Sequence, residues 1–376
     1  MTVEFAKVPG VRPSVERMAE YAGPGDAVAL AGRLGVPVEQ IVKLDANENP
    51  YGCSPLVAEV LGQFSRYHQY PESEHVETRQ RISDYVGVGP EHIMVGNGSD
   101  EIIDLVMRAF LDPGDEVMDF PPTFGIYSFN AQHQDARVIA IERDDQFRVR
   151  LDAAIAALTP RTKLIFLATP NNPTGTPTSR ADIERLLDTG RIVVVDEAYA
   201  EFAAMDPEGF DSLVADVPNH PNLLVFRTFS KWAGLAGLRV GYGVLPTWIA
   251  EHIWKLKPPF NVNSAALAAV AAALETREAQ MKTVRAVIDQ RNRLMAELPS
   301  LGYLTPTPTR TNFILCALNG ITGRELRDAL MDRGVMTRAY GGARLERSLR
   351  LSVGRPADND RLLGALREIG RERGLS

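Results

Sequence analysis

The sequence predicts an α/β protein whose large, mostly parallel seven-stranded sheet is flanked by helices, with a smaller α/β C-terminal domain and an N-terminal arm. Three observations carry this. From Pro55 to about Ala273, short apolar runs alternate with amphipathic segments, the pattern of strand–helix–strand units. The apolar runs are continuous rather than alternating, as in strands buried on both faces. The length of 376 residues, with 45% hydrophobic content, exceeds a usual single domain, so one large core and one smaller core are expected.

The elements follow in order. Residues 1–44 carry Pro9, Pro13, Pro24 and Pro37 among short helical patches, which predicts an arm that wraps another part of the molecule. The large domain, residues 45–275, has strand candidates at Ile93 to Gly96, Glu116 to Asp119, Arg137 to Ile141, Leu164 to Leu167, Ile192 to Asp196, Leu223 to Arg227 and Arg239 to Val244. An alanine-rich run from Ser264 to Leu274 and a charged pattern up to Leu298 predict long helices leading to the small domain, residues 276–376. There, Asn312 to Cys316, Arg324 to Met331, Val335 to Thr337 and Leu349 to Val353 predict a small α/β layer.

Composition narrows the function classes. The formal net charge of -7 is spread without a basic stripe, which argues against nucleic acid and gives no case for a membrane surface. Cys53 and Cys316 are the two cysteines, too few for a disulfide framework or a zinc site, and no metal is expected. The first ten residues hold Glu4, Lys7 and Pro9 without an apolar run, and no stretch approaches membrane-spanning length, so a cytoplasmic location is expected.

The chemistry centres on Lys231, in Arg227-Thr-Phe-Ser-Lys-Trp-Ala-Gly-Leu-Ala-Gly-Leu-Arg239. A lysine condenses with a carbonyl only when its amine is neutral, and burial beside another cation favours that form. Thr228, Ser230 and Arg239 add two hydroxyls and a guanidinium suited to a dianionic phosphate. The segment therefore suits pyridoxal phosphate, with Lys231 forming the Schiff base. Apolar, strand-like flanks argue against a solvated surface lysine.

Asp196 ends the apolar run Ile192-Val-Val-Val-Asp-Glu-Ala-Tyr199 at the strand edge where open α/β sheets place ligands. A carboxylate there suits the pyridine nitrogen, although in isolation a strand-terminal Asp that caps the next turn is an open alternative. Tyr199 is placed to donate to the ring's phenolic oxygen. An apolar strand followed by Asp-Glu also describes a magnesium-binding strand of nucleotide hydrolases, but the chain has no Gly-Lys pair for a P-loop.

Three more clusters converge on the same group. Asn172 lies in a Pro-rich turn after an apolar run, within reach of the phenolic oxygen. Gly96-Asn-Gly98-Ser99 precedes a helical pattern, so Gly98 and Ser99 would turn backbone N–H groups toward the phosphate. The segment lacks the third glycine of a dinucleotide fingerprint. Phe124, after Pro121-Pro-Thr, could lie flat on the pyridine ring. Taken singly, these clusters equally describe a tight turn, a capped helix and a core aromatic.

With these residues in view, the chain resembles the fold-type I pyridoxal-phosphate aminotransferases, and within them the branch that acts on histidinol phosphate. The resemblance runs from about Tyr21 to Arg355. It rests on Asp45-Ala-Asn-Glu-Asn-Pro-Tyr-Gly52, Tyr70-Pro71, Gly96 to Glu101, Asn171-Asn-Pro-Thr-Gly175, Asp196 to Tyr199, Ser230-Lys231 with Arg239, and Leu349-Arg-Leu-Ser-Val-Gly354. It implies that Lys231 is the Schiff-base lysine, Asp196 the nitrogen partner, and Asn172 and Tyr199 the phenolic-oxygen partners. Ser99, Asp100, Thr228, Ser230 and Arg239 would lie around the phosphate. Tyr51 would reach the phosphate of a neighbouring subunit in a homodimer with shared sites, and Arg350 would clamp the substrate carboxylate.

The expected reaction is transamination between a small-molecule amino donor and a keto acceptor: histidinol phosphate plus 2-oxoglutarate gives imidazole acetol phosphate and glutamate. The substrate phosphate needs cations of its own. Arg338, with Tyr21 from the arm, is the candidate, while Arg344 and Arg347 read more readily as surface charges. An aromatic amino acid aminotransferase, a phosphothreonine decarboxylase and a non-catalytic protein on the same fold remain as alternatives, because cofactor motifs do not report which bond breaks.

Overall fold

The computed structural model describes residues 10–21 and 23–375. A short strand, β1 (Val42–Lys43), leaves the N-terminal segment. Seven strands then build the large sheet: β2 (Ile93–Gly96), β3 (Glu116–Asp119), β4 (Arg137–Ala140), β5 (Thr162–Ala168), β6 (Ile192–Asp196), β7 (Leu223–Thr228) and β8 (Gly241–Val244). Their order is β2-β8-β7-β6-β5-β3-β4. Strand β8 runs antiparallel to both of its neighbours, and the pairs from β7 through β4 are parallel.

Side chains of a strand point alternately to opposite faces, and here each face meets its own core. Ile165, Leu167, Val193, Val195, Leu223 and Val225 pack into one cluster. Their neighbours Leu164, Phe166, Val194, Leu224 and Phe226 pack into the other, against Ile102, Val106, Ile249 and Ile253 of helices Ser99–Phe110 and Thr247–Leu256. Burial on both faces explains the unbroken apolar runs of the sequence. It also leaves the C-terminal ends of the parallel strands as the edge where polar side chains can emerge.

Helices Ser264–Glu275 and Arg277–Glu297 lead to the C-terminal layer. Its strands are β9 (Leu304–Pro306), β10 (Phe313–Leu318), β11 (Val335–Met336), β12 (Arg338–Ala339) and β13 (Ser348–Ser352). Four of them form the antiparallel sheet β12-β13-β10-β9. The remaining one, β11, pairs in parallel with β1, so the N-terminal segment is stitched to this layer. Helix Ala27–Leu34 precedes that stitch, capped by the Asp26 carboxylate, which accepts from the Val28 and Ala29 N–H groups.

The seven strands lie where the sequence predicts them, with one change that matters for the site. Arg239 is not the first residue of β8. It closes a short 3-10 turn, Ala236–Leu238, with φ 53°, and the strand starts at Gly241. The left-handed backbone turns the Arg239 side chain out of the ladder toward Gly98 and Asp100.

Candidate active site

The C-terminal edge of β2, β5, β6 and β7 and one wall of the C-terminal layer enclose a cavity of about 450 Å3. Lys231, Asp196, Tyr199, Asn172, Phe124, Ser99, Asp100, Thr228, Ser230, Arg239, Arg350, Arg338 and Tyr21 all line it. Sequence reasoning named every one of them.

The floor is built around Asp196, the last residue of β6. Its carboxylate accepts from the Tyr127 hydroxyl at 2.7 Å and from the Ala198 N–H at 3.0 Å. Burial raises its pKa to about 6 against the lowering effect of those two donors. A cation placed against it would favour the ionised form. Tyr199, three residues on, receives a hydrogen bond from Asn47 Nδ2 at 3.0 Å and packs edge-on against Phe313. Burial lifts its hydroxyl to about 12, so it stays protonated.

Lys231 follows the end of β7. Its Nζ sits 3.3 Å from the Ala46 carbonyl. Burial first, and then the Arg350 charge, bring its pKa down to about 8. The amine is therefore poised near neutrality as a nucleophile, as the sequence argument required.

The anion cup beside it combines hydroxyls, a helix start and a guanidinium. Thr228 donates to Ser230 Oγ at 2.9 Å, and both hydroxyls are buried. Helix Ser99–Phe110 begins at this edge, presenting the N–H groups of its first turn. Arg239 Nη2 pairs with Asp100 Oδ2 at 3.0 Å, so the carboxylate's part is to hold the arginine. Two glycines permit this closeness. A Cβ at Gly98, which has φ 77°, would meet the Arg239 guanidinium at 2.6 Å, and one at Gly241 would meet the Ser99 nitrogen at 2.6 Å.

Phe124 stands edge-on to Tyr127, with ring centroids 5.6 Å apart. The loop carrying it is tied to the Asn172 loop: Thr123 donates to Asn171 Oδ1 at 2.8 Å, and Asn171 Nδ2 donates to the Pro122 carbonyl at 2.9 Å. Asn172 itself accepts from Arg350 Nη1 at 2.8 Å, which joins the large sheet to the C-terminal layer.

The opposite end is made by β12 and β13. Arg350 lies opposite Arg338 in their antiparallel register. Arg350 Nη2 donates to the Asp45 carbonyl at 2.6 Å, and its guanidinium lies 5.4 Å from the Phe313 ring centroid and 5.9 Å from that of Tyr340. Arg338 Nη1 donates to the Gly23 carbonyl at 2.6 Å. Tyr21 packs edge-on against Phe129, and burial raises its hydroxyl pKa.

Tyr51 does not line the cavity of its own chain and instead lies under the Arg355 guanidinium, 5.3 Å from the ring centroid. Arg344 is held by Glu142 and by the Asp144 carbonyl, and Arg347 is exposed, so both belong to the surface. Sequence reasoning gave no role to Asn47, Tyr127, Asp45 or Tyr340. Asn47 carried a usable signal, being one of the polar residues packed into Asp45-Ala-Asn-Glu-Asn49, where φ 54° suits asparagine. Tyr127 lies one helical turn beyond Phe124, which is also a signal, whereas nothing near Tyr340 in the sequence points to it.

The donor set fits pyridoxal phosphate: a carboxylate on the floor, an amine beside it, a flanking aromatic ring, and an anion cup formed by a helix start, hydroxyls and a guanidinium. The profile of the family described as Aminotransferase class I and II matches residues 39–366. A histidinol-phosphate aminotransferase from Dehalococcoides mccartyi is 45% identical over 346 residues, covering 92% of this chain and 95% of its own length. The chloroplastic histidinol-phosphate aminotransferase 1 of Arabidopsis thaliana is 40% identical over 362 residues, 96% of this chain and 85% of its own. The crystal structure of histidinol-phosphate aminotransferase from Sinorhizobium meliloti in complex with pyridoxal-5'-phosphate aligns with a TM-score of 0.85 at 27% identity, over 96% of this chain and 97% of that one.

Proposed function

The chain belongs to the class I and II aminotransferases, and from that premise we propose that it moves the amino group of histidinol phosphate to 2-oxoglutarate, yielding imidazole acetol phosphate and glutamate. One observation supports this reading above the others. The cavity has an amine of lowered pKa at one end and two guanidiniums, Arg338 and Arg350, at the other. Relatives that carry this activity by name align with nearly the whole chain.

Bound pyridoxal 5'-phosphate supplies an electron-withdrawing ring that stabilises negative charge at the substrate α-carbon. The residues have separable tasks. Lys231 Nζ would anchor the cofactor and would accept and return the α-carbon proton, and the Arg350 charge, after burial, favours its neutral form. Asp196 would hold the ring nitrogen in its protonated form, and the Tyr127 hydroxyl, which donates to that carboxylate, fixes its position. Tyr199 and Asn172 would serve the ring oxygen, and Phe124 would pack against the ring. Gly98, Ser99, Thr228, Ser230 and Arg239 hold the cofactor phosphate, while Asp100 orients Arg239. Arg350 takes the carboxylate of glutamate, and Arg338 and Tyr21 receive the phosphate of the other substrate.

A homodimer with shared sites belongs to the same proposal. Its support is that Tyr51, which the motif directs toward cofactor phosphate, lies off the cavity of its own chain, and that the stacked Tyr70–Phe260 pair is exposed. The division at residues 44 and 275 is likewise proposed. So is a cytoplasmic location, consistent with Cys53 and Cys316 as two separate free thiols.

The test is a half-reaction screen. The yellow protein is mixed with histidinol phosphate, phenylalanine, tyrosine or glutamate, and loss of the cofactor absorbance is followed. Histidinol phosphate and glutamate should react fastest. A preference for phenylalanine or tyrosine would replace this assignment with an aromatic aminotransferase, and release of carbon dioxide from phosphothreonine would replace it with a decarboxylase.

A further inference from the structure

Tyr340 lines the cavity, yet neither the sequence motifs nor the proposed reaction uses it. It stands two residues beyond Arg338 at the end of β12, so the period of two along an extended chain sends both side chains to one face. Ala339 between them packs against the core. The Arg350 guanidinium lies over the Tyr340 ring, 5.9 Å from its centroid, and over the Phe313 ring, 5.4 Å from its centroid. Its hydroxyl is buried and makes no hydrogen bond among the described residues. A buried hydroxyl left unsatisfied costs stability, and Tyr340 belongs to the cavity wall, so a ligand atom seated against that wall would complete it.

The neighbouring donors show which atom. Both terminal nitrogens of Arg350 already donate to protein oxygens, Asn172 Oδ1 and the Asp45 carbonyl. Its Nε is buried without a partner, like the Tyr340 hydroxyl. A carboxylate presents two oxygens, which a single guanidinium can satisfy. A phosphate monoester presents three in a tetrahedral array and calls for donors from more than one direction. Tyr340 supplies a neutral donor on the wall between Arg338 and Arg350. Its pKa is raised, chiefly by burial, so the hydroxyl keeps its proton while an anion lies against it.

Building on the proposed substrate, we infer that Tyr340 is a specificity-determining residue whose hydroxyl donates to the phosphate of the phosphorylated amino substrate. It thereby separates phosphate-bearing donors from carboxylate-bearing ones.

Tyr340→Phe removes the hydroxyl and keeps the ring that Arg350 lies over. Single-turnover half-reactions of wild type and Y340F should be compared with histidinol phosphate, histidinol and glutamate. For histidinol phosphate, kcat/KM should fall about 10- to 100-fold, the span of a hydrogen bond to a charged acceptor. Histidinol and glutamate should change less than about threefold, because the bond lost is made only to phosphate. Inorganic phosphate competing with glutamate should weaken in parallel. An unchanged ratio of histidinol phosphate to histidinol in Y340F, or an equal fall for all three donors, would overturn the inference while leaving the substrate assignment standing. A wild type with no preference for histidinol phosphate over histidinol would remove the assignment itself, and the role of Tyr340 with it.

Discussion

The two ends of the cavity are assembled in different ways. At the cofactor end, Asp196, Thr228, Ser99 and Lys231 sit on or just beyond the ends of strands of one sheet, where strand order and register set their spacing. At the substrate end, Arg350 reaches a carbonyl 305 residues away and Arg338 one 315 residues away. The first end inherits its geometry from the pleat and register of a buried sheet, which leaves little freedom. The second exists only where a C-terminal strand pair, an N-terminal segment and the large sheet meet. A constant cofactor can be held by the rigid end, and the choice of substrate can be made at the composite one.

If this contrast is right, substitutions at the cofactor end should damage every reaction, and those at the substrate end should separate substrates. The largest effect is expected for Lys231→Ala. Turnover with all donors should drop by about ten-thousand-fold or more, since the anchoring and proton-carrying amine is lost. Borohydride treatment followed by peptide mapping should fix cofactor to the Lys231 peptide in wild type and not in the variant. A K231A protein that still transaminates would end the assignment.

Asp196→Asn comes next. The floor keeps its shape but loses its charge, so turnover should fall by about 100- to 10,000-fold while the cofactor remains bound. Turnover that stays at the wild-type level would take Asp196 out of the mechanism.

Arg338→Ala should sharpen the contrast. Its kcat/KM for histidinol phosphate should weaken by at least ~1.5 kcal/mol, the lower scale of a charged hydrogen bond, with the glutamate half-reaction much less affected. Equal losses for both donors would mean that the substrate end does not discriminate.

The smallest effect is a shift in pH dependence. Capture of the cofactor aldehyde by apoprotein requires the neutral Lys231 amine, so its rate should rise with pH and level off above about 8. Arg350→Gln removes one of the causes that lower this pKa, so the midpoint should move upward. Stopped-flow absorbance at a series of pH values measures it. A midpoint that moves downward would show that Arg350 does not act on Lys231 through its charge.

What the sequence revealed follows the same division. Strand ends carry polar residues immediately after apolar runs, so Asp196, Thr228 and Asn172 could be read from contiguous motifs. Arg239 was legible as a residue of the cavity but not in its conformation, because a strand-like run conceals a left-handed residue before Gly241. Tyr127 and Asn47 stand beside readable motifs, but their partners lie 69 and 152 residues away, and no local pattern encodes those pairings. Tyr340 follows a two-residue strand in a segment without regular periodicity, and only the pairing of β12 with β13 brings it to the cavity. Tyr51 was legible as a motif residue, yet its own chain holds it away from the cavity.

The stitch between β1 and β11 has a consequence in time. Asp45 leaves the ribosome 305 residues before the Arg350 that will bind its carbonyl. At about 5–20 residues per second, the wait is roughly 15–60 s. All strands of the large sheet have been made by Val244, well before β11 begins. A growing chain should therefore close the cofactor end while the substrate end is still being synthesised, and become selective only in its last stretch. Ribosome-bound chains stalled before Arg338 provide the measurement. If such chains take up no cofactor, the two ends fold as one unit and this order of assembly is wrong.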